Sequence, residues 1–411
     1  MNLFLIVFAY LCYTICFLFF LPISFRIIFP LPPIISLFII LYYQQKNIFH
    51  FFQREKWNLS LTLFFTLIFF YLATERWDVE PYGMWDSWAN WNLKAKSITA
   101  EFLNHTNVKM PMAASIHPEY PIGLPILIAS FMILFGSWWI PILYTMQILF
   151  VFGTCYLLIK NTKSLMFKSI TILILLTNIN FLNIVSDLCA DLLLSFLILW
   201  AISNLHNLEP TKTNSSIFFM GLQIASLSLF KFEGLAIFIL FTPIVFIRFF
   251  IFQTTTVSLK KILLYVVGTI VPTILFLYFY NLTKVNGISD FSISSFSDSK
   301  TIFSQSIDKI PFIWIYFFEF HFHTWYGLYF ISIILSFLSF DKITLATGFF
   351  LFSILIFYNL IYFFSSQNIS WHLSTSYTRI HITLLPSFLW LIGKVRENSF
   401  SNILPKVLRF M

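Results

Sequence analysis

The chain has 411 residues, of which 59% are hydrophobic and 10% charged, and its mean hydropathy is +0.84. Soluble domains carry about a quarter charged residues, so this composition excludes a soluble enzyme; despite the net charge of +8, nothing in the pattern suits a nucleic-acid partner. Repeated apolar runs of about 17 to 25 residues can each cross about 30 Å of hydrocarbon as a helix, and the expected class is an all-α polytopic membrane protein.

In chain order, Asn2 to Leu21 is apolar, lacks a basic leader and a small-residue cleavage site, and is expected to be a first transmembrane helix rather than a signal peptide. A second follows from Ile27 to Tyr43, with Pro30, Pro32 and Pro33 bending it or delaying its start. A basic connection, Lys46 to Lys56, leads to a third from Leu59 to Ala73. Basic loops stay in the cytoplasm, which places the next passage on the extracytoplasmic side. That passage, Trp85 to Pro125, is the longest polar stretch of the chain and gathers Asp86, Lys94, Lys96, His117 and Glu119 among tryptophans.

The short apolar segment Leu124 to Phe135 is expected to dip into the outer leaflet, because Ile142 to Ile159 then ends in the cytoplasm at Lys160, Lys163 and Lys168. Helices are expected at 169–185, 188–205, 216–231, 234–251, 262–281, 323–340, 343–363 and 379–393, with Lys212, Arg248, Lys260, Lys261, Lys342, Lys394 and Arg396 in cytoplasmic connections. That makes about 12 crossings in one integral domain. Its parts are three N-terminal helices (1–73), an outer loop with interfacial helices (74–141), central helices (142–281), a second outer loop and interfacial segment (282–322), and C-terminal helices with a basic tail (323–411). The Ser-rich passage from Thr283 to Pro311 is either a solvated loop or a lid or acceptor platform. Cys12, Cys16, Cys155 and Cys189 lie in or beside apolar runs without metal-ligand spacing and are expected to be small core residues.

On this topology the polar residues at helix ends converge on one side: the outer loop, then Asp187 and Asp191, Lys231 and Glu233, and His372 and Arg379. A charge at mid-bilayer costs about 2.5 to 3.5 kcal/mol on insertion scales, so a shared wet cavity at one boundary is the favourable arrangement. Such a cavity suits an amphiphile with a charged head and a long apolar tail.

Five motifs carry a resemblance: WDSWANWNLKAK from Trp85, HPEYP from His117, SDLCADLLLSF from Ser186, LFKFEGL from Leu229 and WHLSTSYTRIHITLLP from Trp371. In this order they resemble bacterial membrane glycosyltransferases of the GT-C superfamily, family 39-like, related to protein mannosyltransferases and to the aminoarabinose transferase of lipid A. The resemblance implies a GT-C-like helical bundle and a sugar moved from a polyprenyl-phosphate donor to an acceptor outside the cytoplasmic membrane. Such enzymes usually have one helix before the first large loop, and this chain is expected to have three.

By the resemblance Asp86 is the catalytic base; its plainer alternative is a carboxylate paired with Arg76 or Lys94, and Asp78 is a rival. A positioned base contributes about 10² to 10⁴ in rate. Lys94, Lys231, Arg379 and His372 are candidates for the donor phosphate, Arg379 because its planar fork can take a phosphate in two bonds. His117, Glu119, Asp187, Asp191 and Glu233 are candidates for positioning substrate. Asp187 and Asp191 lie four apart, on one face if helical, which leaves a divalent cation open, although no metal site is assigned. The expected function is inverting transfer to an acceptor hydroxyl of a lipid, glycan or protein. A transporter or flippase of lipid-linked sugars, or a polymerase or ligase of lipid-linked glycans, is the alternative.

Overall fold

A computed structural model describes residues 31–103, 120–207, 214–248, 259–283, 307–324, 327–339, 341–365 and 368–407. Every regular element among them is helical. The helix expected at 2–21, both candidates His117 and Glu119, and most of the Ser-rich passage lie outside the described residues.

The first element corrects the reading of the N-terminal region. Helix α1, Leu31–Val79, runs unbroken for 49 residues where two helices and a basic connection were expected. No proline or glycine occurs between Ile34 and Glu80, and polar residues such as Gln44 and Lys46 do not by themselves end a helix. The α1 segment Phe52–Val79 is long and apolar enough to cross a bilayer.

After a π-helical turn at Ser87–Asn92 come α2 (Leu93–Leu103), α3 (Gly123–Leu134), α4 (Pro141–Asn161), α5 (Leu165–Thr177), α6 (Ile179–Ser186) and α7 (Ala190–Asn207). The central part continues with α8 (Asn214–Ala225), prolonged by a 3₁₀ turn to Leu229, then α9 (Phe232–Phe246) and α10 (Leu259–Thr283). The C-terminal part has α11 (Ile310–Phe318), α12 (Leu328–Phe337), α13 (Lys342–Phe364), α14 (Ile369–His372), a π-turn at Leu373–Tyr377, α15 (Thr378–Ile382) and α16 (Leu385–Val407). Side-chain caps start four of these helices, among them α14, where Asn368 accepts from Trp371 N–H. Ser164 accepts from Phe167 N–H, Asn178 from Phe181 N–H, and Asp341 from the N–H groups of Ile343 and Thr344. Asn178, extended between α5 and α6, is where that pair bends by 72°.

Among the described residues five helices are long and apolar enough to cross a membrane, or six if the bent α5–α6 pair is one span. Of the expected twelve, the span at 2–21 lies outside the described residues, the described part of the segment expected at 27–43 and the segment at 59–73 fall in the one helix α1, and α9 and α12 are 15 and 10 residues long. The short segment before the fourth predicted crossing is α3, 12 residues long and buried at nearly every position.

The core is one continuous apolar cluster running from Phe65 in α1 to Leu391 in α16. Chemistry sorts to its two ends. At one end Asn161 donates to Trp390 O at 2.9 Å, Thr162 to Glu397 at 2.9 Å, and Lys168 to Asn58 at 2.6 Å. The connections that the charge pattern assigned to one side therefore do meet each other. The other end holds the candidate site.

Candidate functional site

Five segments meet at that second end, and local backbone features aim their side chains. The end of α1 is tied to the end of α6 by Trp77, whose indole N–H donates to Ser186 O at 3.0 Å while its ring stacks on Tyr144 at 4.3 Å. The chain then turns through Gly83, which has φ +75° and lies so close to Asp187 that a Cβ there would strike the Asp187 carbonyl oxygen. Only glycine suits both demands. Asp86 follows at the entrance of the Ser87–Asn92 π-turn, and Arg379 lies just past the Leu373–Tyr377 π-turn. π-helical turns widen a helix locally and are frequent at functional sites; here one flanks each partner of an ion pair.

That pair joins Arg379 Nη1 to Asp86 Oδ2. The same guanidinium places Nε 3.6 Å from Asp191 Oδ2, while Asp191 Oδ1 accepts from Lys231 Nζ at 2.7 Å and Lys231 also lies 3.0 Å from Glu233. The result is one chain of charges, Asp86–Arg379–Asp191–Lys231–Glu233, with three acids against two bases. Asp191 is its buried centre, its side chain 2% exposed, whereas Asp86 and Arg379 are 22% and 24% exposed. Lys231 precedes α9 in an extended conformation, and Gly234 lets α9 start against the 3₁₀ turn, where a Cβ would strike Leu227 O. Burial works against the charge on Lys231, and the carboxylates of Asp191 and Glu233 outweigh it, holding the ammonium protonated.

A cavity of about 370 Å³ opens on this network, lined by Lys231, Glu233, His372, Arg379, Tyr120 and Ser376 at its polar end. Its other walls are Leu235, Ala236, Ile239 and Leu240 of α9 and Phe357 and Ile361 of α13. A second hollow of about 660 Å³ shares Ile239 and Leu240 and continues between the same two helices to Ala346 and Lys342. Together they form an apolar groove that starts at paired cations and runs the length of α9, about 22 Å at 1.5 Å per residue.

Of the residues singled out from sequence, the structure brings together Asp86, Asp191, Lys231, Glu233, His372 and Arg379. His372 stands at the rim with Nδ1 2.7 Å from Ser365 Oγ. Lys94 is placed otherwise. It is 1% exposed, donates to Tyr120 O at 3.2 Å, and does not line the cavity. Asp187 and Asp191 do not share a helix face: Asp187 caps the end of α6, Asp191 opens α7, and Leu188 between them has φ +57°. A left-handed leucine is strained, and such strain gathers at functional sites. Asp187 pairs with Arg76 at 3.3 Å, away from the central network, and burial pushes its carboxyl up to about 7 against the pull of Arg76 and Arg379. Asp191, expected to orient an acceptor or sugar hydroxyls, has each oxygen beside a cation, Lys231 at 2.7 Å and Arg379 at 3.6 Å. A divalent cation at either aspartate would have to displace these partners, and among the described residues no three His, Cys, Asp or Glu side chains gather for a metal. Asp78 is exposed on the last turn of α1, outside the network.

Sequence reasoning passed over Tyr120, Ser376 and Asn92, although each lies inside a quoted motif. It also took Arg76 as a candidate partner for Asp86, whereas Arg76 binds Asp187, Glu80 and Asn183. Set against protein-family models, curated proteins and solved structures, the chain matches none.

Proposed function

We propose that the protein is a membrane glycosyltransferase that moves a sugar from a polyprenyl-phosphate donor to an acceptor hydroxyl, on the extracytoplasmic face of the cytoplasmic membrane. The observation that carries this reading is the meeting of a cation pair, an adjacent carboxylate and a long apolar groove in one cavity. An amphiphile with an anionic head and an isoprenoid tail fits those three features together: tail between α9 and α13, phosphate at Lys231 and Arg379.

The reaction is a single displacement with inversion. The acceptor oxygen forms a bond to the anomeric carbon as the bond from that carbon to the phosphate oxygen breaks. The acceptor proton goes to the Asp86 carboxylate, and polyprenyl phosphate leaves with the electron pair. Negative charge grows on the leaving phosphate, so fixed cations stabilise the transition state more than the ground state. Asp191 keeps both cations in place before substrate arrives. The phosphate competes with Asp86 for Arg379, so donor binding frees a carboxylate oxygen to receive the acceptor. This couples the two substrates in order, donor first.

The test is turnover by purified protein supplied with polyprenyl-phosphate sugars and envelope extracts as acceptor. Transfer that is lost in Asp86→Asn supports the reading. Substrate movement across vesicles without any bond change would establish a flippase instead, and full activity in Asp86→Asn would remove Asp86 from its role.

A further inference from the structure

A third concavity is lined by the residues that flank Asp86 in the chain, and the charge network does not explain it. It measures about 640 Å³ and is walled by Tyr82, Trp85 and Trp88 from the outer turn, Asn92 and Lys96 beyond them, and Trp138 from the α3–α4 connection. Trp85 and Trp88 are each 49% exposed and lie edge to face with centroids 6.5 Å apart. Tryptophans on a membrane protein often serve as interfacial anchors, but anchors project outward one by one. Here two rings from the outer turn and Trp138 from another segment line one hollow.

Polar atoms of its lining residues differ in access. Asn92 is 3% exposed; its amide nitrogen donates to Tyr82 O at 2.8 Å, and its Oδ1 accepts from no described residue. The Trp138 indole N–H is buried and likewise has no acceptor among the described residues. Buried polar groups are nearly always hydrogen-bonded, and each exception needs a reason. Both atoms have almost no accessible surface and lie behind the wall, whereas Lys96, exposed at the hollow, offers donors that a ligand hydroxyl can accept from. A ligand with many hydroxyls and flat faces of C–H bonds suits the whole hollow, because the negative face of an indole attracts polarised C–H groups.

We infer that this hollow is the acceptor site and that the acceptor is a carbohydrate, free or carried on a lipid, rather than a peptide. The inference rests on the glycosyltransferase reading for the word acceptor, and on the hollow's own chemistry for the word carbohydrate. Asp86 follows Trp85 directly in the chain, which puts the base at the boundary between a bound saccharide and the donor cavity.

The experiment is binding by the full chain in lipid nanodiscs, without donor, to arrays of oligosaccharides, of the same oligosaccharides on lipid, and of serine- and threonine-containing peptides. Retention of at least one oligosaccharide, weakened about tenfold by Trp85→Ala, Trp88→Ala or Trp138→Phe, is the expected result. The first two rings are half exposed and the third change removes only a ring N–H and some ring area, so all three variants should unfold at the wild-type temperature. Peptide binding without saccharide binding, or saccharide binding indifferent to all three substitutions, overturns the inference. Because no donor is present, the two readings fail separately: saccharide binding without transfer counts against the transferase, and transfer to a peptide counts against the carbohydrate site alone.

Discussion

Asp86 and Arg379 are 293 positions apart in the chain and form a direct ion pair, while the guanidinium's Nε faces Asp191 at 3.6 Å. One planar group thus couples the proposed base to the buried anchor. If the three act as a unit, Asp86→Asn lowers kcat by about 10² to 10⁴, and Arg379→Lys does the same order of damage because an ammonium lacks the fork. The double variant then falls no further than the worse single one, since residues that act together are not additive. Steady-state kinetics on the three proteins checks this, and multiplying losses would show that the two act independently.

The Lys231–Asp191 contact predicts a different signature. Asp191 is nearly sealed from solvent, so Lys231→Met leaves a buried carboxylate with only the more distant Arg379 for company. Breaking a buried pair from one side costs about 3 to 5 kcal/mol, whereas replacing both partners is far milder. Thermal unfolding in detergent should therefore show a large fall for Lys231→Met and recovery in Asp191→Asn/Lys231→Met. Donor binding should stay weakened in both, because neither restores the Lys231 cation beside Arg379.

How far the sequence foretold this arrangement depends on the type of signal. Charge bias along the chain sorted the helix ends well: Lys168 meets Asn58, and Thr162 meets Glu397, at the end opposite Asp86 and Arg379. Apolar periodicity located α4, α7, α10 and α13 within a few residues. It failed at Lys46 to Lys56, because a polar stretch looks like a loop while the backbone there has no breaker. It failed again at Asp187 and Asp191, whose spacing suggests one helix; the chain turns at Leu188, beside the close approach of Gly83 to Asp187, a contact 104 positions apart in sequence that no local pattern announces. Lys94 shows what a motif leaves open. Its place in a motif pointed to function, and its direction was set by the packing of α2 on α3.

Asp187 gives a pH dependence with a definite sign. Its carboxyl titrates near 7 in the folded protein against 3.8 ordinarily, because burial favours the neutral form. The folded state therefore keeps this contribution in full below about pH 4 and loses it as pH rises through 7. A difference of about three units corresponds to at most about 4 kcal/mol, with Arg76 3.3 Å away reducing it. Thermal unfolding from pH 4 to pH 8 should show wild type losing stability over this window relative to Asp187→Asn, whose profile should be flatter. A parallel pair of profiles would mean that Arg76 keeps the aspartate ionised throughout.

The groove between α9 and α13 makes the proposed donor testable by chain length. Ala236, Leu240 and Pro243 fall at helical spacing along α9, and the two hollows they border join at Ile239 and Leu240. The helices run antiparallel there, because Ile361 near the end of α13 faces Leu235 while Lys342 at its start faces Ile247. A tail of a few isoprene units would reach only the first hollow; a long one would pass Ile239 into the second. Ile239→Trp places bulk at the junction and leaves Lys231, Asp191 and Arg379 untouched. It should raise KM about tenfold or more for long-chain prenyl donors, which lose burial worth about 25 cal/mol per Å² of apolar surface, and leave a two-isoprene donor nearly unaffected. Pro243→Leu, farther along the groove, should penalise only the longest chains. Equal penalties for all lengths would place the tail elsewhere and reduce the groove to ordinary lipid-facing surface.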